Sequence, residues 1–164
     1  MHHKLMILAV IAALTGCGQS RMVPPTARIP VTQADAAKIA DDTATVWQTT
    51  DAVKIKALYA SDITGFNIAA APLIVNRADW DRSIEEYALA NIDGMQLIGR
   101  KIQLLGDNDF VVSQSGRITS SKNARNNFTV RCTDVFEKGV DGNWLIVNEH
   151  CSLLPKSPFQ NGHG

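Results

Sequence analysis

The sequence predicts an α+β domain in which helices come first and strands follow. Three observations carry that prediction. Apolar stripes at helical spacing lie before Gly94, four runs with the character of strands lie after it, and between Val31 and Leu154 the only proline is Pro72. Regular structure can therefore run with little interruption. The chain has 164 residues, 45% of them hydrophobic, with 16 Lys+Arg against 16 Asp+Glu. That length and apolar content suit one globular domain with a core, not a charge-expanded polymer. A balanced charge offers phosphate no long-range attraction, which argues against nucleic acid as a partner.

Each element has a local reason. Thr32 suits a helix N-cap, and behind it Ala36, Ile39, Ala40, Thr43, Val46 and Trp47 recur at helical spacing. Thr50-Asp51 opens a second, short helix through Val53, Ile55, Leu58 and Tyr59. Residues 63–68 suit a short strand, and 69–76, around Pro72, read as a loop. A third helix is expected over 78–90, with Trp80, Ile84, Tyr87 and Ala88 on one side. The four later runs are 95–105, 110–119, 127–136 and 144–153, separated by polar or glycine-rich breaks at 106–109, 120–126 and 138–143. Consecutive strands with short connections form an antiparallel meander, which the helices then cover on one face.

The N-terminus has a different character. One lysine, Lys4, precedes an apolar run over 5–14 and the exit Thr15-Gly16-Cys17, the pattern of a secretory signal peptide. The run is too short to span a bilayer, which needs about 20 apolar residues. Leu14-Thr15-Gly16-Cys17 resembles the bacterial lipobox, in which the cysteine is acylated and becomes the mature N-terminus. The resemblance implies a signal peptide over 1–16 and a lipid on Cys17. With Gly18 following the cysteine, it also implies an outer-membrane anchor facing the periplasm. Residues 17–31 hold Pro24, Pro25 and Pro30 without apolar periodicity and suit a flexible tether. A domain over 32–155 and a frayed tail over 156–164 complete the expected organisation.

Within the domain, two stretches carry a family resemblance. The first is Leu58-Tyr59-Ala60-Ser61-Asp62, after two helices. The second is the hairpin running from Arg131-Cys132-Thr133-Asp134-Val135-Phe136 through Asp141-Gly142-Asn143-Trp144 to Asn148-Glu149-His150-Cys151-Ser152. Together they resemble the NTF2-like superfamily, in particular its SnoaL-like and DUF4440-type members. The resemblance implies a cone: a curved antiparallel sheet wrapped around helices, enclosing a mostly apolar pocket, often in a homodimer. Some relatives are isomerases, cyclases or dehydratases, and many have no catalytic activity. In the isomerases a carboxylate base lies eight positions after the tyrosine of the Leu-Tyr-Ala segment. Here that position is Asn67, an amide that cannot accept a proton. The oxyanion tyrosine of the first helix falls on Thr43, and Asp134 matches the second oxyanion donor. The expected function is therefore binding of a small hydrophobic molecule without catalysis. The rivals are an enzyme using Asp134 or His150 with Tyr59, and an assembly module that docks another envelope protein.

Residue counting narrows the chemistry. His150 is the one histidine within the domain, so a histidine-rich metal centre is not expected. No Gly-x-Ser-x-Gly elbow, dinucleotide fingerprint or Walker loop occurs, and no cofactor is expected. Unbroken alternation from Trp144 puts Ile146, Asn148 and His150 on its face, as a hydrogen-bonded strand histidine or a polar pocket group. The candidate pocket residues are Tyr59, Asn67, Trp80, Asp134 and His150, with Tyr59 and Trp80 near the mouth. A two-residue turn at Asp141-Gly142 would pair Val140 with Asn143 and bring Cys132 opposite Cys151. The outcome there is either a disulfide, which an oxidising periplasm permits, or two buried thiols.

Overall fold

The computed structural model describes residues 30–68, 73–90, 92–123 and 127–154. The expected signal peptide, Cys17, most of the tether and the tail lie outside the described residues. Three helices, α1 (Gln33–Gln48), α2 (Ala52–Lys56) and α3 (Arg77–Leu89), accompany five strands. These are β1 (Tyr59–Phe66), β2 (Gly94–Leu104), β3 (Asp109–Thr119), β4 (Phe128–Lys138) and β5 (Trp144–Leu153). One sheet holds all five in the order β1-β5-β4-β3-β2, antiparallel except that β1 runs parallel to β5. The sheet is thus mixed at one edge, where the sequence suggested a purely antiparallel one.

Local chemistry sets the helix starts. The Thr32 side chain accepts from Asp35 N while the Asp35 carboxylate accepts from Thr32 N, a capping box that satisfies two orphan donors. Asp51 caps α2 by accepting from Val53 N and Lys54 N, and Asn76 caps α3 by accepting from Asp79 N. The second helix stops at Lys56, earlier than its apolar spacing suggested, because Tyr59 already belongs to β1 and pairs with Ile146. Arg77, at the start of α3, locks this junction: its guanidinium donates to the carbonyls of Lys56, Tyr59 and Ala60.

The main core lies between the helices and the inner face of the sheet. It gathers Ala36, Ile55, Trp80 and Ile84 from the helices and Tyr59, Ile63, Phe110, Val112, Phe136 and Ile146 from the strands. Phe110 and Phe136 stack at 4.6 Å, with Trp144 tilted against Phe110 at 5.0 Å. A second, smaller cluster of Ile92, Ile118 and Val130 lines the other half of the cone.

Two irregularities in β5 decide what faces inward. The hairpin loop is longer than two residues: Lys138 pairs with Trp144, and Gly142 adopts a φ of 86° that favours glycine. Further along, Phe136 pairs with Ile146 but Val135 pairs with Asn148, so Val147 is an extra residue, a β-bulge. The longer loop shifts the register by one residue and the bulge shifts it back. Cys132 therefore stands opposite Cys151, and the two are joined by a disulfide. The bulge also breaks the alternation: Ile146, Glu149 and Cys151 are buried, whereas Asn148 and His150 are exposed. Where β1 meets β5, Gly65 pairs with Glu149, and a Cβ on Gly65 would stand 1.9 Å from the Glu149 carbonyl oxygen. That close approach requires glycine.

Candidate functional site

Past the stacked phenylalanines the cone opens into a cavity of about 270 Å³. Its walls are largely apolar and aromatic: Trp47 from α1, Tyr87 from α3, Met95 from β2, Ile118 from β3, and Phe128 and Val130 from β4. Thr43, Asn67 and Gln114 add neutral polar groups, and the Cys132–Cys151 disulfide forms part of the lining. Trp47 stands edge-on to Tyr87 at 4.7 Å, fixing both rings beside the cavity.

The carboxyls of Asp134 and Glu149 reach this cavity from adjacent strands. They are direct partners across β4 and β5, and each residue is only 4% exposed. Each is held by one neutral donor. Gln114 Nε2 donates to Asp134 Oδ2 at 3.1 Å, and the Tyr59 hydroxyl donates to Glu149 Oε2 at 2.6 Å. Arg100 Nε in turn donates to Gln114 Oε1 at 3.1 Å, which orients the amide so that its NH₂ faces Asp134. Asp134 Oδ1 is buried and has no hydrogen-bond partner among the described residues; the Tyr87 hydroxyl is in the same condition.

The electrostatics follow from this geometry. Burial raises the Asp134 pKa to about 7, partly offset by the Gln114 hydrogen bond and the nearby Arg100 charge. Burial, reinforced by the negative charge of Asp134, raises Glu149 to about 8 against the lowering effect of Tyr59. The protons belong to the pair rather than to either residue. Burial and the neighbouring Glu149 also push the Tyr59 hydroxyl well above its ordinary value, so it stays a donor. Near neutrality the pair is a weak acid in an apolar chamber, able to donate or accept a proton. One oxygen each of Asp134 and Glu149 lies within 4.8 Å of the Cys151 sulfur. That sulfur is tied up in the disulfide, which leaves two carboxylates, too few for a zinc or calcium site by themselves.

The structure brings two of the five expected pocket residues to the cavity, Asn67 and Asp134. Asn67 Nδ2 donates to Ser83 Oγ at 3.1 Å. Tyr59 does not line the cavity. It is buried in the core and acts only through Glu149, because Tyr59 opens β1 instead of closing α2, which ends at Lys56. Trp80 is 0% exposed and packs on the Tyr59 ring at 5.3 Å, since its helix turns that face to the core. His150 lies on the outer face of the sheet against Phe66, at 5.2 Å, because the bulge at Val147 reverses the alternation. Glu149 was not a candidate, and it is the second carboxyl of the site. The signal was present: pairing Cys132 with Cys151 also pairs Asp134 with Glu149, so an inward Asp134 requires an inward Glu149 and an outward His150.

A curved sheet wrapped on helices, with polar groups at the floor of an apolar chamber, defines a pocket protein of the NTF2-like cone type. The chain belongs to the SnoaL-like domain family, whose model matches residues 36–156. Among solved structures, an NTF2-like protein of unknown function from Pseudomonas putida KT2440 is similar, with a TM-score of 0.62 and 18% identity over 79% of this chain and 94% of that one. A Xanthomonas campestris protein provisionally named a calcium/calmodulin dependent protein kinase II association domain gives 0.65 and 24%, over 77% and 91%. A Parabacteroides distasonis protein provisionally named a ketosteroid isomerase gives 0.61 and 16%, over 80% and 98%. At these identities the likeness establishes the fold. No curated protein matches the chain.

Proposed function

We propose that this chain is a lipid-anchored envelope protein, held at the outer membrane through Cys17. Its SnoaL-like domain would bind one small, largely apolar molecule and release it unchanged. The observation that carries the binding reading is the cavity of about 270 Å³ with apolar walls and a buried, unpartnered Asp134 Oδ1 at its floor. An apolar chamber with a few convergent polar groups is the usual form of a small-molecule site. Asn67 supports binding over isomerisation, because it stands where the isomerase relatives carry their base and donates to Ser83. The lipobox-like Leu14-Thr15-Gly16-Cys17 supports the anchor.

One observation favours a second reading. Asp134 and Glu149 share a site in which their proton affinity lies near neutrality, so the pair could shuttle a proton within a bound substrate. An isomerase or dehydratase built on this pair would place its base on β5 instead of at Asn67.

Native mass spectrometry of the domain released from its host membrane tests the binding reading. The expected result is a co-purifying mass that leaves on denaturation. An empty domain that no lipophilic compound stabilises would refute it, and a co-purified compound converted on incubation would move the assignment to the enzyme. Palmitate labelling that persists in Cys17→Ser would refute the anchor.

A further inference from the structure

The charged groups lining the cavity all have one sign. Asp134, Glu149 and Glu86 line it, and no Lys, Arg or His among the described residues does. Two of the three are buried, and the nearest cation, Arg100, spends its hydrogen bonds on Gln114, Asp41 and the Ala40 carbonyl. The hydrogen bonds made to the buried pair are those of a site built for carboxylates. Gln114 and Tyr59 both donate, so each carboxyl is already used as an acceptor, while Asp134 Oδ1 has no partner. What burial lacks in this chamber is a positive charge in contact with the pair: among the described residues no cation bonds to either carboxyl, and Arg100 acts on Asp134 only as a nearby charge and through Gln114.

We infer that the ligand of this cavity is a lipophilic organic cation, an amine carried on an apolar body, whose ammonium group sits against Asp134 and Glu149. This rests on the reading of the cavity as a small-molecule site and deepens it. An ammonium has several N–H donors and no acceptor, so it can satisfy Asp134 Oδ1 and a Glu149 oxygen together. A neutral carbonyl or hydroxyl can meet one carboxyl and leaves the other in need of a proton. A carboxylate ligand would add a third charge of the same sign. The Trp47, Tyr87 and Phe128 rings along the walls suit both the apolar body and the cation. Glu86, exposed on α3, adds attraction for a cation at the rim. A metal ion is the poorer occupant, because two carboxylates among apolar walls fall short of the oxygen shell that hard cations demand.

Binding of a cation should expel the protons that the buried pair holds. The titratable and charged groups facing the pair are Tyr59 on β1, Arg100 on β2, Tyr87 and Glu86 on α3, and Asp41 of α1 through Arg100. Of these the Tyr59 and Tyr87 hydroxyls are held protonated by burial, so released protons come from the carboxyls.

The test compares octylamine, 1-octanol and octanoate, matched in length, on the purified full chain, following tryptophan emission and binding heat. Octylamine should bind at least about tenfold more tightly than 1-octanol, the scale of a desolvated charge pair, with octanoate weakest. Its heat measured in buffers of different ionisation enthalpy, at about pH 6.5, should show net proton release. The double variant Asp134→Asn/Glu149→Gln should lose the preference for octylamine while keeping 1-octanol. Equal binding of 1-octanol and octylamine, or octylamine binding without proton release, overturns the cation assignment and leaves the pocket reading standing. If none of the three binds, the pocket reading itself falls. The proton-release measurement uses the unaltered chain, so the inference stays falsifiable even if the variant does not fold.

Discussion

The two ends of the β4–β5 pair lie on the same two strands, one register apart, and do opposite things. Toward the hairpin, Phe136 and Ile146 point inward and close the cone with Phe110 and Trp144 in a dry, stacked layer. Past the bulge at Val147, the inward residues are Asp134, Glu149 and the Cys132–Cys151 pair, and the cone is hollow. One extra residue in β5 separates a region that stabilises from a region that binds. The contrast teaches that one scaffold can close at one end and open at the other, with the Tyr59 hydroxyl joining the closed core to the Glu149 carboxyl.

The largest expected effect lies at the closed end. Phe136→Ala should cost about 3–5 kcal/mol in urea unfolding, from lost burial plus the cavity it leaves. A loss under about 1 kcal/mol would mean that the stacked layer does not close the cone. Next comes the disulfide, which ties residues 19 apart in sequence. Replacing both cysteines by serine should cost about 3 kcal/mol, on the loop-closure account. An unchanged unfolding midpoint would show that β4 and β5 need no tie.

The bridge between the two ends is tested by Tyr59→Phe. Removing the hydroxyl leaves Glu149 Oε2 buried without its donor, which should cost about 1–3 kcal/mol. The loss should be greater at high pH, where Glu149 is charged. A pH series sharpens this. Both carboxyls have folded-state pKa values raised above the unfolded ones, so the native state holds more protons than the unfolded state between those values. Their contribution to stability is full in acid and is lost as pH rises through about 7 to 8. The double variant Asp134→Asn/Glu149→Gln should therefore flatten the stability profile above about pH 5, by a difference on the order of 1–3 kcal/mol. A variant profile parallel to the parent would refute the buried pair. The smallest effect belongs to the outer face: His150→Ala should change stability by less than about 0.5 kcal/mol. It should also leave ligand binding in the cavity untouched.

Much of the fold was legible from residue patterns. The helix caps at Thr32 and Asp51, the change of period at Gly94 and the four strand runs all depend on neighbours a few residues apart. The site was legible only in part. Asp134 and Asn67 came from the family pattern, but Glu149 was hidden by the assumption that β5 alternates without interruption from Trp144. The expected two-residue turn brought Cys132 to Cys151, and the structure makes the same pairing by a different route, a longer loop compensated by a bulge.

The sequence by itself determined the class, the order of elements, the helix starts and the lack of charge imbalance, because each is a local or additive property. It also determined which chemistry is scarce, since a domain with one histidine cannot assemble several. Only the tertiary structure decided which residues meet. The bulge at Val147 turned Glu149 inward and His150 outward, and the parallel docking of β1 on β5 carried the Tyr59 hydroxyl to that glutamate. A one-residue insertion leaves almost no mark on local propensity, yet it exchanges the two faces of a strand, and here it sets which charges the cavity holds.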